Sequence, residues 1–391
     1  MRLINPSYTR ASREKTRFLA SLATDLGSVG VRAEVARRGR KIGLTAELPD
    51  VPGTGVHRMM KLLRDRQLRS ASAFIARMEK ANVLDLFASG CDLNIDTISP
   101  RIHFCRTRKD LELYRYCSLL QTVPGVSRVG RQIRALIYDD GQYRPVLMGA
   151  IGLASSTYTI ACRDQYLGWT ENATKSVKDA GLRRIMDVAV CISFLPYSLL
   201  LGGKLVALLS ATDPLRDEFR RKYGGPLLGL ITTCATGIHC PIFNRIMVRE
   251  GGLYRRIGET AGYSTLCFSR DTVRGARRLI AHSAKGDTRQ PSPAARPLHV
   301  LRRAMRLCGI PDEAVLRLGN PKGVYFAALS DGTLPCLRTG RSGSASDGLS
   351  TKDGFEYWRD NILPKRRNRQ AVVEKVVGFR PQEMALSRYV G

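Results

Sequence analysis

At 391 residues and 43% hydrophobic content, the chain can bury the cores of two or three domains, which excludes a disordered or low-complexity protein. Its 63 Lys and Arg stand against 34 Asp and Glu, a formal charge of +29 whose self-repulsion makes a polyanionic partner, a nucleic acid, the natural explanation. Ten scattered cysteines, and residues 1–20 with five basic side chains and no apolar stretch, exclude a secreted disulfide scaffold and point to a reducing cytoplasm.

Residues 7–85 read as helical. Phe18, Leu19, Leu22 and Leu26 recur at helical period within 12–26, and helices at 56–68 and 70–78 follow a turn at 52–54. The stretch 55–66, with Arg69 beyond it, sets basic residues along an exposed face that either contacts DNA or is simply solvated. An extended connector at 96–108, a helix at 111–120 and a basic, glycine-bearing loop at 125–134 come next. From 135 to 153 the pattern is strand, tight turn at Asp140-Gly141, strand: a hairpin by its turn chemistry. Helix is expected at 171–178, and helix passing into strand at 182–194. An amphipathic helix spans 204–222, with Leu205, Leu208, Leu209, Leu215 and Phe219 inward and Pro214 as its breaker.

A strand at 227–233 follows, then a further strand beyond Arg245 and a basic loop at 254–258. Polar, proline-rich residues 284–297 are the linker candidate. Past a helix at 298–307 and a loop at 342–350, Phe355, Tyr357 and Trp358 precede the cluster Lys365, Arg366, Arg367 and Arg369. Aromatics beside such a cluster suit a nucleic-acid surface, and an aromatic helix packed on the core is the alternative. The longest apolar run, 188–201, is too short to span a membrane. The expected organisation is a helical N-terminal domain over 1–95, a mixed α/β (α+β) core over 96–283, the linker, and a basic C-terminal region over 298–391.

Gly202-Gly203-Lys204 opens a helix after a strand and a turn, where backbone amides favour an anion and glycines let it approach. Ser198 stands where a P-loop has its first glycine, and Leu205 where Ser or Thr would ligate magnesium, so the turn is not of that kind. The order strand, glycine turn, helix, strand from Cys191 to Thr233 fits an acetyltransferase-type fold, whose glycine turn grips a pyrophosphate. A plain tight turn is the other reading. Cys234, His239 and Cys240 match no common zinc spacing, and no metal is expected. A Cys234 thiol activated by His239 is a candidate nucleophile, with a buried thiol at a strand end as the plainer alternative. Of the acids, only Asp164 has a distinctive setting, too little for a two-metal nuclease.

An ordered series of motifs over about residues 115–270 carries a resemblance. It runs through 145–149 (PVLMG), 161–169 (ACRDQYLGW), 201–205 (LGGKL), Thr232-Thr233 ahead of Gly237, 243–245 (FNR) and 254–263 (YRRIGETAGY). This series resembles the DruA family of the Druantia anti-phage system, and the centre of the chain is distantly similar to Mom-type DNA-modifying acyltransferases. The resemblance implies a GNAT-like mixed sheet flanked by helices, with Gly202, Gly203 and Lys204 as a cofactor turn and Asn244, Arg245 and Tyr254 on the substrate side. Leu199 to Leu201 stand where acetyl-CoA enzymes carry Arg or Gln, so no cofactor is named. DruA relatives also look like mobile-element genes. A transposase-like chemistry would use Cys234 or Tyr263 as nucleophile, with His239 as base and Arg245, Arg255 and Arg256 facing the phosphodiester. Arg163, Trp169, Arg255, Arg256, Lys365, Arg366 and Arg367 are then the expected DNA-facing residues, and the expected partners are DNA and other defence-system or mobile-element proteins, not a membrane.

Overall fold

The computed structural model describes residues 6–28, 31–38, 41–47, 54–125, 130–170, 173–234, 237–262, 268–283, 297–311, 315–316, 321–341 and 348–390. By its contacts the chain divides into two units, Met1–Arg64 with Ala261–Pro321, and Asp65–Thr260 with Lys322–Gly391.

The first unit is built on α1 (Pro6–Gly27), a hairpin of β1 (Arg32–Arg38) and β2 (Lys41–Glu47), and two later helices described below. The hairpin corrects the expectation of helix throughout 7–85. Its two seven-residue strands pair antiparallel from Arg32↔Glu47 to Arg38↔Lys41, and strands this short carry too little periodicity to be told from helix by pattern alone. The stripe Phe18, Leu19, Leu22 and Leu26 is fully buried, as its spacing predicts. It packs with Ala276, Leu279, Ile280, Leu301, Ala304 and Met305. The buried Asp25 carboxylate accepts the amide N–H of Ser269 at 2.6 Å and the hydroxyl of Thr272 at 2.5 Å, tying the two chain segments together.

Helix α2 (Thr54–Ser70) belongs to the first unit up to Arg64; the second unit carries its last residues, α3 (Ser72–Lys80) and a seven-stranded mixed sheet. Its strands are β3 (Pro100–Phe104), β4 (Gln132–Asp139), β5 (Val146–Ser155), β6 (Ile185–Ser193), β7 (Gly229–Thr233), β8 (Arg255–Glu259) and β9 (Gly323–Ala328), in the order β3-β4-β5-β6-β7-β9-β8. Neighbours are antiparallel except β6 and β7, whose Ile185–Asp187 and Gly229–Ile231 run parallel. A parallel pair needs a crossover. Here α7 (Gly202–Leu209) and α8 (Asp213–Tyr223) supply it. The sequence reads these as one helix, but Pro214 lies in the first turn of α8, where its missing N–H costs nothing, and the chain turns at 210–212. Leu205, Leu208, Leu209, Leu215 and Phe219 are all buried, as expected.

The remaining helices are α4 (Arg108–Leu119), α5 (Ala161–Tyr166), α6 (Lys175–Leu182), α9 (Arg270–Ser283) and α10 (Pro297–Cys308), the last two belonging to the first unit. The β4–β5 hairpin forms around 140–145 as its turn residues predict. The stretch 254–258, expected as a loop, is instead mostly strand: β8 pairs with β9, which arrives from far along the chain. Such a partner cannot be inferred from local composition. Residues 284–296 of the linker candidate lie outside the described residues. Among the described residues no helix is long and apolar enough to cross a membrane.

Candidate functional site at the ends of the parallel strands

Because β6 and β7 run the same way, their C-terminal ends emerge side by side, and the connections that follow are thrown together there. After β6 the chain makes a helical turn at Tyr197–Leu200 and enters α7 through Leu201, whose φ of 60° is left-handed. A leucine in that conformation costs about 1–2 kcal/mol and is held by its surroundings. The Trp358 indole, fully buried, donates to the Leu201 carbonyl at 3.2 Å, and Tyr197 donates to the buried Asp139 carboxylate at 2.7 Å. A Cβ on Gly202 would stand 2.4 Å from Ser193 Oγ and 2.7 Å from the Tyr197 carbonyl oxygen. The glycine at 202 is therefore required by the chain's own packing. At Gly203 the same Cβ would meet only Ile242, at 3.5 Å, an ordinary contact.

Lys204, one step into α7, is half-buried and its ammonium donates to the Asn244 carbonyl. Burial, and then the nearby charges of Lys365 and Arg245, lower its pKa. Lys204 therefore lies in the field of two further cations, the exposed Arg245 and the exposed Lys365. None of the three has a carboxylate partner among the described residues. Arg245 takes a left-handed φ of 58° at the end of the turn that follows Cys240. Lys365 reaches the site from the helix Pro364–Arg367, whose position is set by Trp358 and by Arg367 pairing with Asp96 at 2.5 Å. The structure thus brings together Gly202, Gly203, Lys204, Asn244, Arg245 and Lys365, which the sequence presents in three separate places. Arg366 lies on the same short helix, half-exposed.

The other candidates sit differently. Cys234, 2% exposed, lies with its sulfur 3.5 Å from the carbonyl of His239, while the His239 side chain faces solvent. A hydrogen bond with Cys234, and then burial, drive the Cys240 thiol far above its ordinary pKa, so that sulfur is a poor source of thiolate. Tyr254 is buried, its hydroxyl 2.7 Å from Ser210 Oγ and its ring 4.8 Å from that of Phe243, and burial pushes its phenol up. It is a core residue. Tyr263 lies outside the described residues. Arg255 and Arg256 are exposed on edge strand β8, with Arg256 paired to Glu259.

Arg163 and Trp169, expected on a DNA-facing surface, are buried instead. The Arg163 guanidinium spends its donors on Asp164 (2.5 and 2.9 Å), Ser156 Oγ (2.9 Å) and the carbonyls of Thr157 and Tyr158 (2.6 and 2.8 Å). The Trp169 indole donates to the Leu337 carbonyl at 2.8 Å. Both read as surface residues because the stretch carries no local sign that the loop 156–158 closes on Arg163 and that a later segment, the helix Thr333–Thr339, packs on Trp169. Trp358 shows the same effect: the aromatics beside the C-terminal basic cluster form a packed helix, with Phe355 stacked on Trp358 at 6.1 Å. Among the described residues no three His, Cys, Asp or Glu side chains group as a metal site would need.

Comparison with known proteins places these features in a family. The family model described as Druantia protein DruA matches residues 56–290, a span that contains the whole motif series and every strand of the sheet but β9. Druantia protein DruA of Escherichia coli (strain UMEA 4076-1) is 28% identical over 285 residues, covering 68% of this chain and 67% of that protein. No solved structure matches. With more than half its length matched by the family model, the chain belongs to the DruA family.

Proposed function

We propose that this DruA-family protein acts in anti-phage defence by contacting DNA through the cationic group at the ends of its parallel strands. The observation that carries the reading is that Lys204, bonded to the Asn244 carbonyl, lies in the field of Arg245 and Lys365, with no carboxylate partner for any of the three among the described residues, in a chain of net charge +29. Like charges gathered at that cost are stabilised by a polyanion, and phosphodiesters supply one. The path β6, glycine turn, α7, α8, β7 within a mixed sheet supports a GNAT-like scaffold for this contact. The packing of Gly202 against its own chain, and the burial of Cys234 and Tyr254, favour DNA contact over acyl transfer or attack by those two side chains. The reading sets the protein in the cytoplasm, where infecting DNA arrives, beside other proteins of its defence system.

The test is binding of labelled duplex and single-stranded oligonucleotides over a salt series, for the full chain and for the variant K204M/R245Q/K365Q. Loss of three phosphate contacts should shallow the dependence of log affinity on log salt by about 2.7 for duplex. Wild-type affinity that does not respond to salt, or a folded triple variant with an unchanged slope, overturns the proposal.

A further inference from the structure

A second cationic site lies at the other end of the same sheet. Strand β4 runs in the direction of β6, since both are antiparallel to β5. Its first residues therefore lie where β6 begins, a strand length, roughly 27 Å, from the Lys204 group. There a cleft of about 520 Å³ is lined by Cys105, Gly130, Arg131, Gln132, Arg134, Lys222 and Tyr223, with no acidic side chain in its wall among the described residues. We propose that this cleft binds a phosphate group.

Three observations carry the inference. The first is where the neighbouring acids go. Glu218, nearly buried, pairs with Arg106 at 3.2 Å and Arg221 at 2.6 Å, and Asp217 pairs with Arg220 at 3.3 Å. These acids are spent on cations outside the cleft. The cations inside it bond to neutral oxygens: Arg131 to the carbonyls of Leu182 (2.7 Å), Ile185 (3.3 Å) and Arg183, Lys222 to that of Gln132 (2.7 Å), and Arg134 to the Gln132 side chain. Basic residues in the last turn of α8 are accounted for by the helix dipole, but Arg131 and Arg134 are at the start of a strand, where no dipole asks for them.

The second is rigidity. The Tyr223 hydroxyl bridges the backbone of Gln132, accepting its N–H at 2.7 Å and donating to its carbonyl at 2.8 Å. The Arg131 guanidinium is 5.3 Å from the Phe219 ring centre and 5.7 Å from that of Tyr223, so its place is fixed by both the aromatic rings and the three carbonyls. Arg134 and Lys222 retain most of their N–H donors for a ligand. The third is selectivity. Arg131 and Lys222 both lie against the Tyr223 ring, so the cleft offers charge and donors rather than a free stacking face. It recognises phosphate, whether free, on a mononucleotide or in a polynucleotide backbone, and not a base.

The experiment compares the full chain with R134Q/K222Q, leaving Arg131 intact because it also holds three carbonyls. Inorganic phosphate and thymidine monophosphate are titrated with the unfolding midpoint as readout, and labelled oligothymidylate is titrated over a salt series. A free-phosphate site predicts that both small anions raise the midpoint of the wild type and not of the variant. A backbone site predicts instead that oligothymidylate binding loses about 1.4 from its salt slope in the variant. If R134Q/K222Q matches wild type in both arms, the inference is overturned. The strand-end contact then stands or falls separately on K204M/R245Q/K365Q, which leaves this cleft untouched.

Discussion

Gly202→Ala tests whether the glycine turn is shaped by its own chain or for a ligand. Gly202 is not among the residues of positive φ, so alanine meets no backbone penalty and the whole effect is steric. The added methyl group would sit 2.4 Å from Ser193 Oγ and 2.7 Å from the Tyr197 carbonyl oxygen. The second of these is backbone and cannot swing away. Overpacking of this kind costs about 1–3 kcal/mol. In a unit of this size that lowers the unfolding midpoint by about 2–6 °C. Ser193→Ala removes the nearer obstacle and leaves the carbonyl, so the double variant should recover about half the loss, a coupling of about 1 kcal/mol in a double-mutant cycle. Gly203→Ala is the matched control, since its methyl group reaches only Ile242 at 3.5 Å, and its midpoint should stay at or above wild type. Thermal and denaturant unfolding of the four variants decide the matter. An unshifted Gly202→Ala, or a Gly203→Ala that falls as far, would refute the packing argument and return both glycines to a ligand-cradling role.

Two further outcomes follow from the same structure. Arg163→Met should cost about 3 kcal/mol, because it leaves the loop carbonyls of 157–158 without their donor and the Asp164 carboxylate with Lys178 as its one remaining ion-pair partner among the described residues; an Arg163→Met protein that unfolds like wild type contradicts the burial described here. Asp110 closes a capping box at α4: burial pushes its carboxyl up, but the N–H groups of Thr107 and Arg106, the Thr107 hydroxyl and His103 outweigh it and hold the pKa at about 2. A depressed carboxyl stabilises the fold above its unfolded value and loses that contribution as pH falls through the folded one. After allowance for solvent screening at this partly buried site, Asp110→Asn should cost about 1 kcal/mol at neutral pH and nothing below about pH 2, and an equal loss at both ends would exclude this origin.

Much of the framework was written in local pattern. The buried stripe of α1, the β4–β5 hairpin, the β7 strand and the inward leucines of α7 and α8 follow from periodicity and turn chemistry, because a residue three, four or two places away reports on the same face. The family, too, was legible in an ordered set of short motifs. What local pattern could not supply was the partner of each surface. Arg163 and Trp169 carry the same letters whether exposed or buried, and only the fold shows the loop 156–158 against the one and the helix Thr333–Thr339 against the other.

The functional groups divide along the same line. Composition alone established a cationic protein suited to a polyanion, since net charge is a sum over residues and needs no coordinates. Which cations act together is a matter of distance. Lys204, Arg245 and Lys365 are far apart in the chain, and Arg131, Arg134 and Lys222 gave no signal as a group in sequence. Each set is assembled from helices, turns and strand ends that meet at one end of the sheet, and it is tertiary packing that decides which.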